Sequence, residues 1–115
     1  MKKEKTYEIA YIISKYVYDN IQYLSGTFSR MPIYKSILEN YSCEEIRQAF
    51  EFLDTYGILR SSVRESKGFI VIYGYHKYKM QMFIDLFWGE CDYTTKKNCK
   101  KILSFNESEL VGGVM

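Results

Sequence analysis

The sequence predicts a small, mainly α-helical domain carrying one β-hairpin, an α+β fold, and three observations lead there. Apolar residues recur at helical spacing in stretches near both ends of the chain. A helix opened by Pro32 runs almost directly into a second helix start, the S-x-x-E pattern of Ser42 and Glu45. Two β-prone runs, ILRSSV and GFIVIY, flank the charged segment Arg64-Glu65-Ser66-Lys67.

In chain order, Ile9, Ile13, Val17, Ile21 and Leu24 form one helical stripe from Thr6 to Leu24, and Tyr7, Tyr11 and Tyr18 form a second beside it. The helix is expected to be covered on two sides and to stop at Ser25-Gly26. Thr27 to Arg30 reads as a short extended stretch. A brief second helix follows Pro32, with Ile33, Ile37, Leu38 and Tyr41 as its apolar positions. The capping box at Ser42 then starts a third helix whose inner face is Ile46, Ala49, Phe50 and Leu53, and Gly57 ends it with a left-handed residue. After the hairpin, whose tip turns at Gly68, Lys77 to Glu90 forms a helix with Met80, Phe83, Ile84, Phe87 and Trp88 on a broad apolar face, ending at Gly89. The segment TTKKNCKKIL is expected to make a short basic helix from a threonine cap. One domain over residues 1–103, with a fraying tail over 104–115, accounts for the pattern.

Composition sets bounds on function. A chain of 115 residues with 47% apolar residues can bury one core, and a net charge of +2 does not by itself advertise a nucleic-acid partner. Glu8, Lys15 and Asp19 interrupt the first apolar stretch, so no export signal is expected, and no uncharged run is long enough to span a membrane. A soluble, intracellular, cytoplasmic protein is the expectation. Only two alanines beside abundant Ile, Tyr and Lys suggest AT-rich coding, common in plasmid and viral genes. Cys43, Cys91 and Cys99 form no CxxC pair and His76 is the sole histidine, so neither a metal nor another cofactor is expected. Cys91 and Cys99 are either buried thiols or a disulfide pair. With no glycine-rich phosphate loop, no nucleophile elbow and no base beside Cys43, the residues do not point to an enzyme.

The order of helix, short extended piece, helix, tight turn, helix and hairpin resembles the winged helix-turn-helix family, most closely over EEIRQAFEFLDTYGILRSSVRESKGFIVIY. Ala49, Leu53, Gly57, Ile58 and Leu59 occupy the places of that family's buried helix positions and of its transition into the wing. The resemblance covers roughly residues 6–75 and leaves a C-terminal helical addition. It implies a transcriptional regulator that places its third helix in the major groove of double-stranded DNA and its wing on the backbone or minor groove.

The expected DNA contacts are Ser42, Arg47 and Gln48 at the start of the third helix and Arg60, Arg64, Ser66 and Lys67 on the wing. Arginine and glutamine are the types that read guanine and adenine from a helix, though both also serve as ordinary solvated helix residues. Glu44, Glu45, Glu51 and Asp54 against Arg47 give the third helix a net −3, which opposes phosphate binding. Residues 60–79 carry five basic residues against Glu65, a net +4, and are the better electropositive surface. Lys96 beside Lys100, and Lys97 beside Lys101, make a second basic face. Tyr11, Tyr18, Phe83, Phe87 and Trp88 either build a homodimer interface or pack inside the domain. The alternative to DNA binding is a protein-interaction adaptor of the same fold.

Overall fold

The first helix is the axis of the fold because it is apolar on more than one face. In the computed structural model, which describes residues 3–20, 26–64 and 69–104, it forms α1, Lys3–Asn20. Ile9, Ala10, Tyr11, Ile12, Ile13, Ser14, Tyr16 and Val17 are all buried, nearly the whole circumference of two turns. Isoleucine and valine are modest helix formers, at a disadvantage of up to about 0.7 kcal/mol each against alanine. Burying each contributes roughly 1.5–3 kcal/mol, so packing decides the conformation. Ile21, Leu24 and Ser25, expected to finish this helix, lie outside the described residues.

A two-residue strand, β1 (Gly26–Thr27), leads into a 3₁₀ turn at Phe28–Arg30. The extended stretch expected from Thr27 to Arg30 is therefore corrected. Phe28 turns fully into the core, edge-on to Phe50 with ring centroids 5.3 Å apart, and the Met31 amide closes the turn on the Phe28 carbonyl at 2.9 Å. Helix α2 (Pro32–Leu38) follows with proline in its first turn, where a missing amide hydrogen loses nothing.

Three residues past the α2 cap, α3 (Cys43–Thr55) starts at the expected capping box. Ser42 Oγ accepts from the Glu45 amide at 3.1 Å, and the Ser42 amide donates to Glu45 Oε1 at 2.9 Å. Ile46, Ala49, Phe50 and Leu53 are buried, as their spacing predicts. The helix ends as its sequence suggests. Gly57 takes φ +70°, its amide donates to the Asp54 carbonyl at 3.1 Å, and the Ile58 amide reaches back to Leu53 at 2.9 Å.

Strands β2 (Leu59–Arg64) and β3 (Phe69–Tyr75) form the antiparallel hairpin, and β1 pairs with the other edge of β3, giving a three-stranded sheet in the order β1-β3-β2. Arg60 stands opposite Gly74, Ser61 opposite Ile72, and an irregularity falls between Arg60 and Ser61. Ile70 and Ile72 face the core while Tyr73 faces out, the alternation of a sheet covered on one side. The Ile70 amide also donates to Ser29 Oγ at 3.2 Å, tying the 3₁₀ turn to the sheet.

Helices α4 (Lys77–Glu90) and α5 (Tyr93–Leu103) complete the domain against α1. His76 caps α4 through Nδ1, which accepts from the Lys79 amide at 3.2 Å. Two expectations are corrected here. Gly89 lies inside α4, which continues to Glu90, and the cap of α5 is Asp92 rather than a threonine. Asp92 Oδ1 accepts from the Thr95 amide at 2.8 Å, and hydrogen bonds from that residue hold its carboxyl below the usual carboxylate range.

A polar cluster fastens α5 to the rest. Tyr41 Oη donates to Glu8 Oε2 at 2.5 Å, and Asn98 Nδ2 donates to the same oxygen at 2.6 Å. The carboxylate satisfies donors from the α2–α3 turn and from α5 at once. Burial, followed by this hydrogen bond to Glu8, pushes the Tyr41 hydroxyl far above the usual tyrosine range. The fold is thus mainly α with a small hairpin, and among the described residues no helix is long and apolar enough to cross a membrane.

Candidate nucleic-acid interface

Helix α3 turns one face inward and leaves the other uncovered. Glu44, Glu51, Asp54 and Thr55 are exposed and Arg47 and Gln48 half-buried on that outer side. Strand β2 lies alongside: Ser61 and Val63 share a shallow groove with Arg47, Phe50, Glu51 and Asp54. The strand that leads to the hairpin tip therefore borders the face on which both proposed base readers sit.

Those readers are engaged on their own helix. Arg47 makes ion pairs with Glu44 and, at 2.6 Å, with Glu51, and Gln48 Nε2 donates to Glu44 Oε2 at 3.2 Å. The pairs follow from i,i+3 and i,i+4 spacing. Hydrogen bonding to Glu44 raises the Arg47 guanidinium above its ordinary range and lowers the Glu44 carboxyl. Ion pairs within one exposed helix face are weak, so both side chains can exchange these partners for others. Ser42 is occupied by its capping role.

The basic residues of the hairpin and the start of α4 divide into two groups. Arg60, exposed near the base of the hairpin, lines a hollow with Gly57, Gly74 and His76 beside the C-terminal end of α3. Lys77 and Lys79, also exposed, open α4, and the Lys79 ammonium approaches Gly57. Cations there complement the negative end of the α3 dipole. Arg64 ends β2, but its side chain, together with Ser66, Lys67 and the turn at Gly68, lies outside the described residues.

The five aromatics considered for a homodimer interface are engaged within one chain. Tyr11 is 4% exposed and stacks on Phe87 and Trp88, with centroids 5.0 and 5.4 Å away. Phe83 continues the cluster to Phe52 at 5.5 Å, and the Lys77 ammonium stands 5.9 Å from the half-buried Tyr18 ring. Trp88 also receives two lysines: the Lys96 and Lys100 ammonium groups lie 5.3 and 5.7 Å from its ring. Lys97 and Lys101 remain on the exposed side of α5. Helix α4 instead exposes Tyr78, Met82 and Leu86, 70%, 54% and 62% accessible, a stripe at i, i+4, i+8 distinct from the apolar face of Met80, Phe83, Ile84, Phe87 and Trp88.

The cysteines are separate and free: Cys43 exposed at the start of α3, Cys91 half-buried, Cys99 buried. Burial pushes the Cys99 thiol up to about 12. No group of three His, Cys, Asp or Glu side chains converges as a metal site among the described residues. Comparison with known protein families, with curated proteins and with solved structures finds no match to this chain. The functional reading rests on the residues themselves.

Proposed function

We propose that this chain is a sequence-preferring transcriptional regulator of the winged helix-turn-helix kind that binds double-stranded DNA through α3 and the hairpin. The observation that carries the reading is the uncovered face of α3, set after a tight turn from α2 and bordered by β2, since an exposed helix of this kind fits a major groove. Affinity comes from the hairpin side, where Arg60, Arg64, Lys67, Lys77 and Lys79 neutralise phosphates without regard to base sequence. Preference comes from Arg47 and Gln48, which exchange Glu44 and Glu51 for base edges. The chain acts as a homodimer on two half-sites, using the exposed Tyr78, Met82 and Leu86 stripe of α4 rather than the aromatics that α1 covers.

One observation favours a second reading, an adaptor that binds protein instead. Helix α3 as a whole carries a net −3, and its lone arginine is held by two carboxylates. The two readings separate in one experiment. A preferred duplex is selected from a random pool, and its binding is compared with that of a scrambled duplex for Arg64→Glu/Lys67→Glu and for Arg47→Ala/Gln48→Ala. The DNA reading expects the first variant to weaken both duplexes and the second to narrow the difference between them. Wild-type affinity for both duplexes in the first variant, with no lost preference in the second, favours the adaptor.

A further inference from the structure

The four helices α1, α3, α4 and α5 leave between them a cleft of about 640 Å³ that none of the DNA contacts uses. Its apolar wall is mainly aromatic: Tyr7 from α1, Phe52 from α3 and Tyr56 at the α3 C-cap, and Phe83 and Phe87 with Leu86 from α4. Phe52 is the hub of this wall, with Tyr7, Tyr56 and Phe83 at centroid distances of 5.1, 4.9 and 5.5 Å. The rings are tilted against one another by 51–54° rather than stacked flat, so the wall is a concave set of ring faces and edges.

The charge on this cleft has one sign. Glu8, Glu90 and Asp92 line it, and among the described residues no lysine, arginine or histidine does. Glu8 accepts hydrogen bonds from Tyr41 and Asn98 and Asp92 from Thr95, all uncharged donors, while Lys96, outside the lining, donates to the Cys91 carbonyl at 2.8 Å and offsets part of the Asp92 charge, so Glu8 and Glu90 keep the rim negative. Aromatic ring faces carry partial negative charge as well, so ring wall and acidic rim select for the same ligand charge.

We propose that this cleft is a binding site for a small lipophilic organic cation, with the aromatic wall taking the apolar body and Glu8, Glu90 and Asp92 balancing the charge. Its volume decides between a small molecule and a protein partner. Ligand pockets run to roughly 300–1,000 Å³, which includes this one, whereas a stable protein interface needs about 800 Å² from each side, more than one cleft between helices offers. Anions and strongly hydrated metal ions are excluded, the first by the rim and the second because the wall offers rings where such an ion needs oxygen ligands. The site lies on the opposite side of α3 from Arg47, does not depend on DNA binding, and shares Leu86 with the α4 stripe proposed for the dimer.

The test uses two probes of one shape and opposite charge, tetraphenylphosphonium and tetraphenylborate, titrated calorimetrically into the whole chain at physiological salt. The expected result is saturable binding of one phosphonium per chain and at least about tenfold weaker binding of the borate, since unit charges a few ångströms apart interact by an amount of that order. Glu90→Gln/Asp92→Asn keeps the α5 cap, because asparagine caps as well as aspartate, and should lower phosphonium affinity about tenfold. Tyr56→Ala, on a side chain 62% exposed and so tolerated by the fold, should weaken both probes. Thermal unfolding of each variant separates loss of binding from loss of structure. Equal affinity for the two ions, or phosphonium binding unchanged in both folded variants, would overturn the proposal. So would saturable binding of an amphipathic Lys/Leu peptide with none of the phosphonium, which would make the cleft a peptide groove.

Discussion

Trp88→Ala tests how the aromatic residues of α1 and α4 are used. The Trp88 ring stacks on Tyr11 at 5.4 Å with 19° between planes, packs against the core, and carries the Lys96 and Lys100 ammonium groups on its accessible side. Truncating a fully buried tryptophan costs roughly 3–5 kcal/mol. Partial exposure of Trp88 reduces the transfer contribution, while a stacked pair is worth about 0.5–1.5 kcal/mol and each exposed cation–π contact about 0.5–1 kcal/mol. A loss near 3 kcal/mol is expected, at the low end of the range for full burial. For a domain of this size that is a fall in Tm of about 10 °C. Trp88→Leu, which keeps apolar bulk but loses the ring, should fall by less than half as much. The assay is thermal unfolding by circular dichroism at two widely separated protein concentrations. An in-chain contact predicts the same drop at both. An unchanged Tm for Trp88→Ala, accompanied by dissociation of an oligomer, would refute the reasoning and make this ring a contact between chains.

Three further outcomes follow from named contacts. Gly57→Ala places a side chain at φ +70°, with its Cβ 3.2 Å from the movable Lys79 ammonium, and should destabilise by about 1–2 kcal/mol in urea titration, with Gly57→Asn milder. A loss under a few tenths would show that the left-handed turn is not needed. The buried Cys99 thiol, its pKa pushed up to about 12, is protonated in the fold at pH values where the unfolded chain has released its proton. Its contribution to stability is therefore complete below about pH 9 and lost as pH rises toward 12, so Cys99→Val should flatten the fall of the urea midpoint across that window. Identical slopes would contradict this. Met82→Glu, in the centre of the exposed α4 stripe, should abolish dimerisation in sedimentation while leaving a folded monomer whose Tm no longer depends on protein concentration, and a variant that still dimerises would assign the contact elsewhere.

Local chemistry in the sequence was enough for some of the element boundaries. Pro32, the Ser42–Glu45 box and Gly57 each act within a few residues, so their structural outcome is written beside them. Phe28 shows the limit. Its 3₁₀ turn exists because the ring packs against Phe50 and Ser29 reaches Ile70, neither of which is near it in sequence. The α5 start follows the same rule as the α3 start: Asp92, a strong cap, stands just before Tyr93, and the threonines after it compete for the same role in the sequence. On the outer face of α3, the i,i+3 and i,i+4 spacing of Glu44, Arg47 and Glu51 already announces the ion pairs that hold Arg47. The stripe of Tyr78, Met82 and Leu86 was also readable by spacing, but the sequence cannot tell which of two apolar faces on α4 meets α1. Glu8, Tyr41 and Asn98 carry no local signal, since their contact joins three elements far apart in the chain. The aromatic cleft belongs to the same class: an excess of tyrosine and phenylalanine hints at it, and only the packing of four helices creates it.

The measurement that bears most directly on the proposed function is the salt dependence of binding to duplex DNA. Each neutralised phosphate contributes a slope of about −0.9 to log K against log salt concentration, so three to five contacts from Arg60, Arg64, Lys67, Lys77 and Lys79 predict about −2.7 to −4.5 per chain. The wild-type chain should bind random duplex with that slope, bind a selected site more tightly at every salt concentration, and lose about two units of slope in Arg64→Glu/Lys67→Glu. No detectable binding to any duplex at low salt would contradict the account and leave the acidic outer face of α3 as the surface of an adaptor.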